Sequence, residues 1–83
     1  MKFKLKDVKN FIKMVGLDMR KQLFSVKDLL EGMNEELEHA NITGGDLYTT
    51  GLIALAHMEK IPDYYKRLKK LEKEAMKYWS KYY

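Results

Sequence analysis

The chain has 83 residues, of which 46% are hydrophobic and 34% charged, a formal net charge of +4 and no cysteine. A chain of this length buries roughly 60 to 65% of its unfolded surface, which fits one small core and leaves no room for a second domain. The lack of cysteine excludes disulfides, thiolate metal sites and cysteine nucleophiles. Any metal would have to be held by histidine, aspartate or glutamate.

The positive charge is carried almost wholly by lysine, which recognises bases and phosphates less specifically than arginine does. Lysine and glutamate are also mixed along the last predicted helix, whereas nucleic-acid binding usually clusters its basic residues. Nucleic-acid binding is therefore the least favoured hypothesis; it would use the last helix together with Lys2, Lys4, Lys6 and Lys9. The basic N-terminus is not followed by an apolar signal-peptide region, so a cytoplasmic location is expected.

Two amphipathic helices are predicted in the first half of the chain. Apolar residues recur at helical spacing over residues 5–15, with lysines on the other side. Ser25 and Asp28 form an acidic variant of the capping box and predict the start of a second helix over residues 26–39. Gly32 interrupts this helix at a cost of about 0.5 to 1 kcal/mol relative to alanine. Such a glycine would let a neighbouring helix approach closely.

The third predicted helix, residues 47–61, is the element around which the fold is arranged. Its sequence is apolar on nearly every side, which predicts enclosure, and it is too short to span a bilayer, which needs about 20 apolar residues. Asp46 is a favoured N-cap, and Pro62 forces the chain out of helical geometry at the other end. The helix carries His57 into the core, where an unpaired imidazole would cost about 1 to 3 kcal/mol.

A fourth helix, the longest, is predicted over residues 63–82. Its apolar stripe places Tyr64 in the core and Tyr65 at its border, half-buried, with a hydroxyl that could bond to His57 or to a loop. The aromatic residues at the end of this helix are predicted to close the core: Tyr78, Trp79, Tyr82 and Tyr83. The expected architecture is an all-α, compact four-helix single domain over residues 1–83 with a central apolar helix.

Both histidines have candidate polar neighbours. Glu35 and His39 lie four residues apart on one helical face, where they could hold one metal or form an ordinary ion pair at a solvated helix end. For His57 the alternatives are an imidazole satisfied by a glutamate or tyrosine, which is the commoner arrangement, and a metal ligand. Thr50, on the same helical face as His57, and Tyr65 complete a predicted polar pocket.

Convergence of the two histidines with nearby carboxylates would create a site suited to zinc, manganese or iron. The predicted ligands of such a site are His39, His57, Glu35, Glu38 and Asp63. The paired Glu-x-x-His motifs of di-iron helix bundles are only half present, because Ala54 stands where His57 would need a glutamate. No phosphate-binding loop, nucleophile elbow or HExxH motif occurs, so no catalytic residue or firmly expected cofactor is predicted.

Residues 32–75 contain ELEH, a loop, TGLIALAHMEKIPDYY and RL, and they resemble a small uncharacterised helical domain family of bacteria and their phages. The resemblance covers about half of the chain. It marks as motif positions Glu36, Glu38, His39, Thr50, Gly51, His57, Pro62, Asp63, Tyr64, Tyr65 and Leu68. That family has no established activity, so the resemblance supports the helix boundaries and draws attention to the His, Glu and Tyr residues without implying a reaction.

Two function hypotheses from different classes follow. The first is a non-enzymatic accessory or protein-interaction domain, which binds a protein partner or associates with itself through its aromatic-rich last helix. The second is a metal- or small-ligand-binding protein that uses the His, Glu and Asp residues. Neither hypothesis involves a membrane.

Overall fold

Four α-helices form where the sequence supplies a cap and an apolar stripe. A computed structural model describes residues 2–39 and 44–80, and these ranges contain four α-helices and no strand. The helices are α1 (Leu5–Val15), α2 (Val26–Glu36), α3 (Leu47–Lys60) and α4 (Tyr64–Ser80). The all-α, four-helix prediction is confirmed. None of the described helices is long and apolar enough to cross a lipid bilayer.

The predicted helix caps are present. The Ser25 hydroxyl accepts a hydrogen bond of 3.1 Å from the Asp28 backbone N–H, while the Asp28 carboxylate accepts one of 3.0 Å from the Ser25 N–H. The Asp46 carboxylate accepts a hydrogen bond of 2.8 Å from the Thr49 N–H. These backbone N–H donors hold the pKa of Asp28 and of Asp46 below the ordinary value. The first four N–H groups of a helix have no partner within it, so a side chain that accepts from one of them favours a helix start at that point, here those of α2 and α3.

One helix ends earlier than the sequence predicts. The helix predicted to reach residue 39 is α-helical only to Glu36, after which Leu37–His39 tightens into a 3₁₀ turn, a frequent ending for an α-helix. The last helix is described to Ser80, and the remainder of its predicted length lies outside the described residues. The corner before Pro62 is as predicted, because Ile61 has an extended backbone with φ of −136°.

The core is built from one face of each helix, and α3 contacts all three of the others. Its buried apolar residues are Phe3, Val8, Phe11, Phe24, Leu29, Met33, Ala54, Leu55, Met58 and Tyr65. The enclosure of α3 is incomplete, however, since Leu52 is 39% exposed and Ala56 is also exposed. The reason is that only the first turns of α4 cover α3, so part of its surface stays in solvent.

Two glycines allow aromatic rings to lie directly against helix backbones. A Cβ atom on Gly32 would lie 2.6 Å from Cε2 of Tyr65, and one on Gly51 would overlap the Phe11 ring. Real Cβ atoms do not approach carbon atoms this closely, so a side chain at either position would force the ring to move. The predicted close approach at Gly32 is confirmed, and it involves α4.

Helix α4 leaves the core after its first turns. Residues 69–80 are all exposed, and the longest dimension of the molecule is 47 Å. The radius of gyration is 14.1 Å, whereas a compact domain of this length has a value of about 12 Å. A helix of 17 residues is about 26 Å long, which exceeds the length of the α2 and α3 surfaces against which it packs.

The predicted closing of the core by the aromatic end of α4 is therefore wrong for the residues that the structure describes. Tyr78 is 55% exposed and Trp79 is 54% exposed, and their rings meet edge to face at 5.2 Å. Both lie about three turns beyond Leu68, the last residue of α4 that packs against the core. Tyr82 and Tyr83 lie outside the described residues.

Candidate functional site

Three helices each contribute one polar side chain to a single cluster, which we call the Glu–His–Tyr cluster: Glu36, His57 and Tyr65. Glu36 is the last residue of α2, His57 lies in the last turn of α3, and Tyr65 is the second residue of α4. The corner at Pro62 reverses the chain, so Tyr65 returns to the end of α3 and reaches α2. Gly32, one turn before Glu36, leaves the space that the Tyr65 ring fills.

The cluster is held together by short polar contacts. The Tyr65 hydroxyl donates a hydrogen bond of 2.7 Å to Oε1 of Glu36. Nδ1 of His57 lies 3.2 Å from the same hydroxyl and 3.3 Å from the same carboxylate oxygen. Because the tyrosine hydrogen is directed to Glu36 and a carboxylate has none, Nδ1 must carry the hydrogen that makes both contacts favourable. In a neutral His57 this tautomer leaves the lone pair on Nε2.

Burial differs across the cluster. The Glu36 side chain is 10% exposed and Tyr65 is 5% exposed, so the carboxylate and the hydroxyl are shielded from water. The His57 side chain is 40% exposed, which corrects the prediction of an enclosed imidazole. His57 lies in the last turn of α3, where only the start of α4 covers it. Its partners, a glutamate and a tyrosine, are of the types predicted.

The burial of the two tyrosines at the start of α4 is the reverse of the prediction, which placed Tyr64 in the core and Tyr65 at its border. Tyr65 is buried, whereas Tyr64 is half-buried and its ring stacks on the His57 imidazole with centroids 4.4 Å apart. The reason is the gap above Gly32, which accepts the ring of Tyr65 and leaves Tyr64 to cover the imidazole from outside. The imidazole is thus fixed by a carboxylate at one nitrogen and by an aromatic ring on one face.

Burial, followed by the hydrogen bond to Glu36 and the charge of that carboxylate, raises the pKa of Tyr65 well above its ordinary value. Ionised Tyr65 would place a second negative charge beside a buried carboxylate. Tyr65 therefore remains a hydrogen-bond donor throughout the neutral range, and the contact with Glu36 persists.

We expect the protein to lose stability as the pH rises above 10. The folded state keeps the Tyr65 proton that the unfolded state releases near pH 10, so the free energy of unfolding falls by about 1.4 kcal/mol for each further pH unit. Below pH 10 both states hold the proton and this contribution is constant. Urea denaturation at pH 8, 10 and 11 should show that the free energy of unfolding falls more steeply with pH in the wild type than in the Tyr65→Phe variant. Equal declines would contradict the shifted pKa.

The residues predicted as metal ligands are not brought together in the described part of the chain. Glu35 pairs with Lys69 at 3.5 Å and Asp63 with Arg67 at 2.8 Å, while Glu38 is exposed. Among the described side chains, those of residues 2–38 and 44–80, no three His, Asp or Glu residues could hold one metal ion. The side chain of His39 lies outside the described part, so metal binding stays a prediction.

Thr50 is fully buried in α3, and its hydroxyl finds no hydrogen-bond partner among the described residues. The predicted polar pocket of Thr50 and Tyr65 is therefore not joined by hydrogen bonds in this part of the chain. A buried hydroxyl without a partner loses its bonds to water and gains none in return.

Replacing Thr50 by valine should raise the free energy of unfolding by about 1 kcal/mol, because a methyl group in place of the unpaired hydroxyl removes its desolvation cost. Chemical denaturation of the purified variant would measure the change. The matched control is Thr49→Val, since Thr49 is exposed and should change stability by less than about 0.5 kcal/mol. A loss of stability in Thr50→Val would show that the hydroxyl has a partner after all.

Sequence reasoning missed the central member of the cluster. In the sequence Glu36 is marked only as a motif position of the resemblance, and it is not among the predicted metal ligands. A signal was nevertheless present, because Leu29, Met33 and Glu36 are spaced four and three residues apart and share the buried face of α2. A carboxylate on a buried stripe requires a partner from another element.

Comparison with known protein families places the chain in one of them. The model of a family described as being of unknown function matches residues 8–74. No curated protein and no solved structure matches the chain. The matched span contains the whole Glu–His–Tyr cluster and ends within the exposed part of α4.

Proposed function

Since the chain belongs to the DUF5661 family, whose function is unknown, we propose a function from the geometry: a non-enzymatic protein-interaction domain that binds a partner protein on the exposed part of α4. One observation carries the proposal. The apolar stripe that attaches α4 to the core continues without interruption onto the part of the helix that the core does not cover.

The exposed continuation of the stripe is the outer apolar face of α4, and it consists of Leu71, Ala75, Tyr78 and Trp79. These positions follow Tyr64 and Leu68, which pack against the core, at helical spacings of three and four. Leu71 is 61% exposed and Trp79 is 54% exposed. A row of large apolar side chains along one helix face is the arrangement by which amphipathic helices dock on other proteins.

The first turns of α4 are, in contrast, firmly attached. Lys66 lies 3.9 Å from Asp28 and Lys69 lies 3.5 Å from Glu35, so two ion pairs join α4 to α2. The Tyr65 hydroxyl adds the buried hydrogen bond to Glu36. A buried charge-assisted hydrogen bond contributes more than exposed ion pairs of this kind. We therefore assign the Glu–His–Tyr cluster a positioning role, in which it holds α4 at the angle that presents the outer apolar face.

Tyrosine and tryptophan suit such a surface. Each offers a large apolar area that can be fixed by ordering only two side-chain torsions, together with a polar atom for hydrogen bonding. These residue types are enriched among those that contribute most to protein–protein affinity. The side chains at the end of α4 thus favour a protein partner.

The test compares a variant of the apolar face with one of the polar face. Tagged wild type, Leu71→Glu and Lys73→Glu are immobilised and incubated with native lysate and with untagged protein. Lys73 lies on the side of α4 opposite Ala75, so its charge reversal is the matched control. Wild type and Lys73→Glu should retain the same partner, and Leu71→Glu should lose it. Equal retention by all three, or retention of nothing by the wild type, would refute the proposal.

The metal- or small-ligand-binding alternative is favoured by one observation, the contact of Nδ1 of His57 with Glu36 at 3.3 Å. A carboxylate on one imidazole nitrogen orients the other nitrogen for coordination. Elemental analysis of untagged wild type and His57→Ala would decide this alternative. The metal-binding alternative requires about one equivalent of metal per chain in the wild type and clearly less metal in the His57→Ala variant.

A further inference from the structure

The first helix presents a row of lysines to solvent. Lys6, Lys9 and Lys13 are spaced three and four residues apart, which at about 100° per residue places them within about 60° of one another on α1. They lie about 160° from the mean direction of Val8 and Phe11, the residues of α1 that are buried in the core. All three lysines are exposed, so the row lies on the side of the helix that faces away from the protein.

The segment before α1 adds two lysines that also point away from the core. Lys4 has an extended backbone, with φ of −115° and ψ of 169°, and successive side chains of an extended chain point to opposite sides. Phe3 is 9% exposed and belongs to the core, so Lys2 and Lys4 point outwards on either side of it, and both are exposed. The lysines at this end of the molecule form what we call the lysine strip: Lys2, Lys4, Lys6, Lys9 and Lys13.

The lysine strip lacks a compensating negative charge. None of its members forms an ion pair with another described residue. Asp7, the acidic residue of α1, accepts a hydrogen bond of 2.8 Å from the Lys4 backbone N–H, and it lies at least about 100° around the helix from the row. Residues 2–21 carry seven basic and two acidic residues and therefore a net charge of +5, against +4 for the whole chain. The positive charge of the protein is thus concentrated in this part.

Helix α4 contains a second row of exposed lysines, which shows what distinguishes the first. Lys70, Lys73 and Lys77 repeat the intervals of the row in α1. Glu74 lies four residues after Lys70 and three before Lys77, where helical side chains are neighbours, so it offsets the charge of the row. The corresponding residue of α1 is Asn10, which is exposed and uncharged. The mixture of lysine and glutamate that argues against nucleic-acid binding is therefore a property of α4 and not of α1.

We propose that the lysine strip binds the phosphate backbone of a double-stranded nucleic acid without selecting a base sequence. Lysine attracts phosphates as a point charge and lacks the bidentate geometry by which arginine reads bases. Lys6 and Lys13 are about 10 Å apart along α1, and one strand of a duplex carries about three phosphates over that length. The inference does not depend on the outer apolar face of α4.

The composition of the strip favours a nucleic acid over other anionic partners. Lysine is depleted from protein–protein interfaces, whereas protein–nucleic acid interfaces are strongly positive. An anionic membrane surface also attracts lysines, but helices that bind one bury their apolar face among the lipids. In α1 that face is occupied by the core. Phe3 and Phe11, the aromatic residues of this segment, are buried and cannot stack on bases, so paired strands are favoured over single strands.

The first test titrates the full chain into a fluorescently labelled DNA duplex of about 20 base pairs and follows the anisotropy of the label. The wild type should bind with a dissociation constant of about 1 to 100 μM at physiological salt. The logarithm of the association constant should fall with the logarithm of the salt concentration at a slope of about −4 to −5, because each of the lysines releases a counterion. Absence of binding at about 1 mM protein, or binding that salt does not weaken, would overturn the proposal.

The second test removes the row of α1. The variant Lys6→Gln/Lys9→Gln/Lys13→Gln loses three positive charges, while glutamine has a helix propensity similar to that of lysine. Affinity for the duplex should fall at least about tenfold, and the salt slope should become less steep by about 2 to 3 units. Circular dichroism should show unchanged helix content, since all three lysines are exposed.

The matched control makes the same changes in α4, as Lys70→Gln/Lys73→Gln/Lys77→Gln. It lowers the net charge by the same amount at the same spacing, and it should weaken binding less than about threefold. Asn10→Glu, which gives the row of α1 the carboxylate that the row of α4 already has, should weaken binding about fivefold or more. Equal losses in the two triple variants would overturn the strip as the binding surface, because only the net charge would then matter.

Competitors of other chemistry test the class of partner. Unlabelled duplex, poly-glutamate, and vesicles of phosphatidylserine and phosphatidylcholine in equal parts are compared at equal concentrations of negative charge. The duplex should displace the labelled probe most effectively, and stronger competition by the polypeptide or the vesicles would overturn the assignment to a nucleic acid. A second duplex of unrelated sequence should compete within about twofold of the first, and a difference above about tenfold would overturn sequence-independent binding.

Discussion

Replacing Tyr65 by phenylalanine is expected to lower the free energy of unfolding by about 2 to 3 kcal/mol. The change removes only the hydroxyl that donates the 2.7 Å hydrogen bond to Glu36. The carboxylate, with a side chain only 10% exposed, is then left with His57 as its remaining described partner. Loss of a hydrogen bond to a buried charge lowers the free energy of unfolding far more than loss of an exposed hydrogen bond does, because water cannot replace the lost donor. Urea denaturation at pH 7 measures the effect.

The neighbouring tyrosine provides the matched control for this prediction. Tyr64→Phe removes the same atom one residue earlier, where the hydroxyl forms no hydrogen bond with the described residues and the side chain is half-buried. This variant should change stability by less than about 0.5 kcal/mol. Similar losses in the two variants would mean that the Glu–His–Tyr cluster does not stabilise the fold through Tyr65.

Replacing Gly51 by alanine is expected to destabilise the protein by about 2 kcal/mol, although alanine is the better helix former by about 1 kcal/mol. The added methyl group would overlap the Phe11 ring, which is fully buried between α1 and α3. Overpacking of this kind forces side chains from their preferred rotamers or separates the helices, at a typical cost of 1 to 3 kcal/mol or more. Thermal and urea denaturation would both register the loss.

A second substitution tests the cause of that loss. Phe11→Leu removes ring atoms that the methyl group would meet, so the double variant Phe11→Leu/Gly51→Ala should be more stable than the sum of the two single changes predicts. The coupling free energy should be about 1 to 2 kcal/mol, as for residues in direct contact. Additive effects would show that Gly51 is required for a reason other than the approach of α1.

The helices could be predicted from the sequence because their signals are local. The capping residues Ser25 and Asp46 and the corner at Pro62 act on the backbone within four residues, and the structure has the helix starts where these residues place them. The extent of burial is not a local property. An apolar helix surface does not indicate how much of it the neighbours will cover, and α4 proved too long for the core to enclose.

The sequence predicted the types of residue in the candidate site, but it identified only two of the three residues, His57 and Tyr65. The need of His57 for a glutamate or tyrosine partner follows from desolvation, and Tyr65 was a candidate for that role. Which glutamate would reach it depends on the order of α2 and α4 around α3, and one sequence contains no direct signal for that order. The exchange of burial between Tyr64 and Tyr65 has the same origin, because it depends on the gap above Gly32 in another helix.

Because α4 is attached to the core only by its first turns, a small change of angle at its base produces a large displacement at its far end. Trp79 lies 14 residues beyond Tyr65, a distance of about 21 Å along the axis, so a tilt of about 10° at the base would swing the tip by nearly 4 Å. A displacement of that size exceeds the tolerance of close-packed contacts. The contacts of these first turns, among them the hydrogen bond from Tyr65 to Glu36, therefore control the direction in which Tyr78 and Trp79 point about two nanometres away.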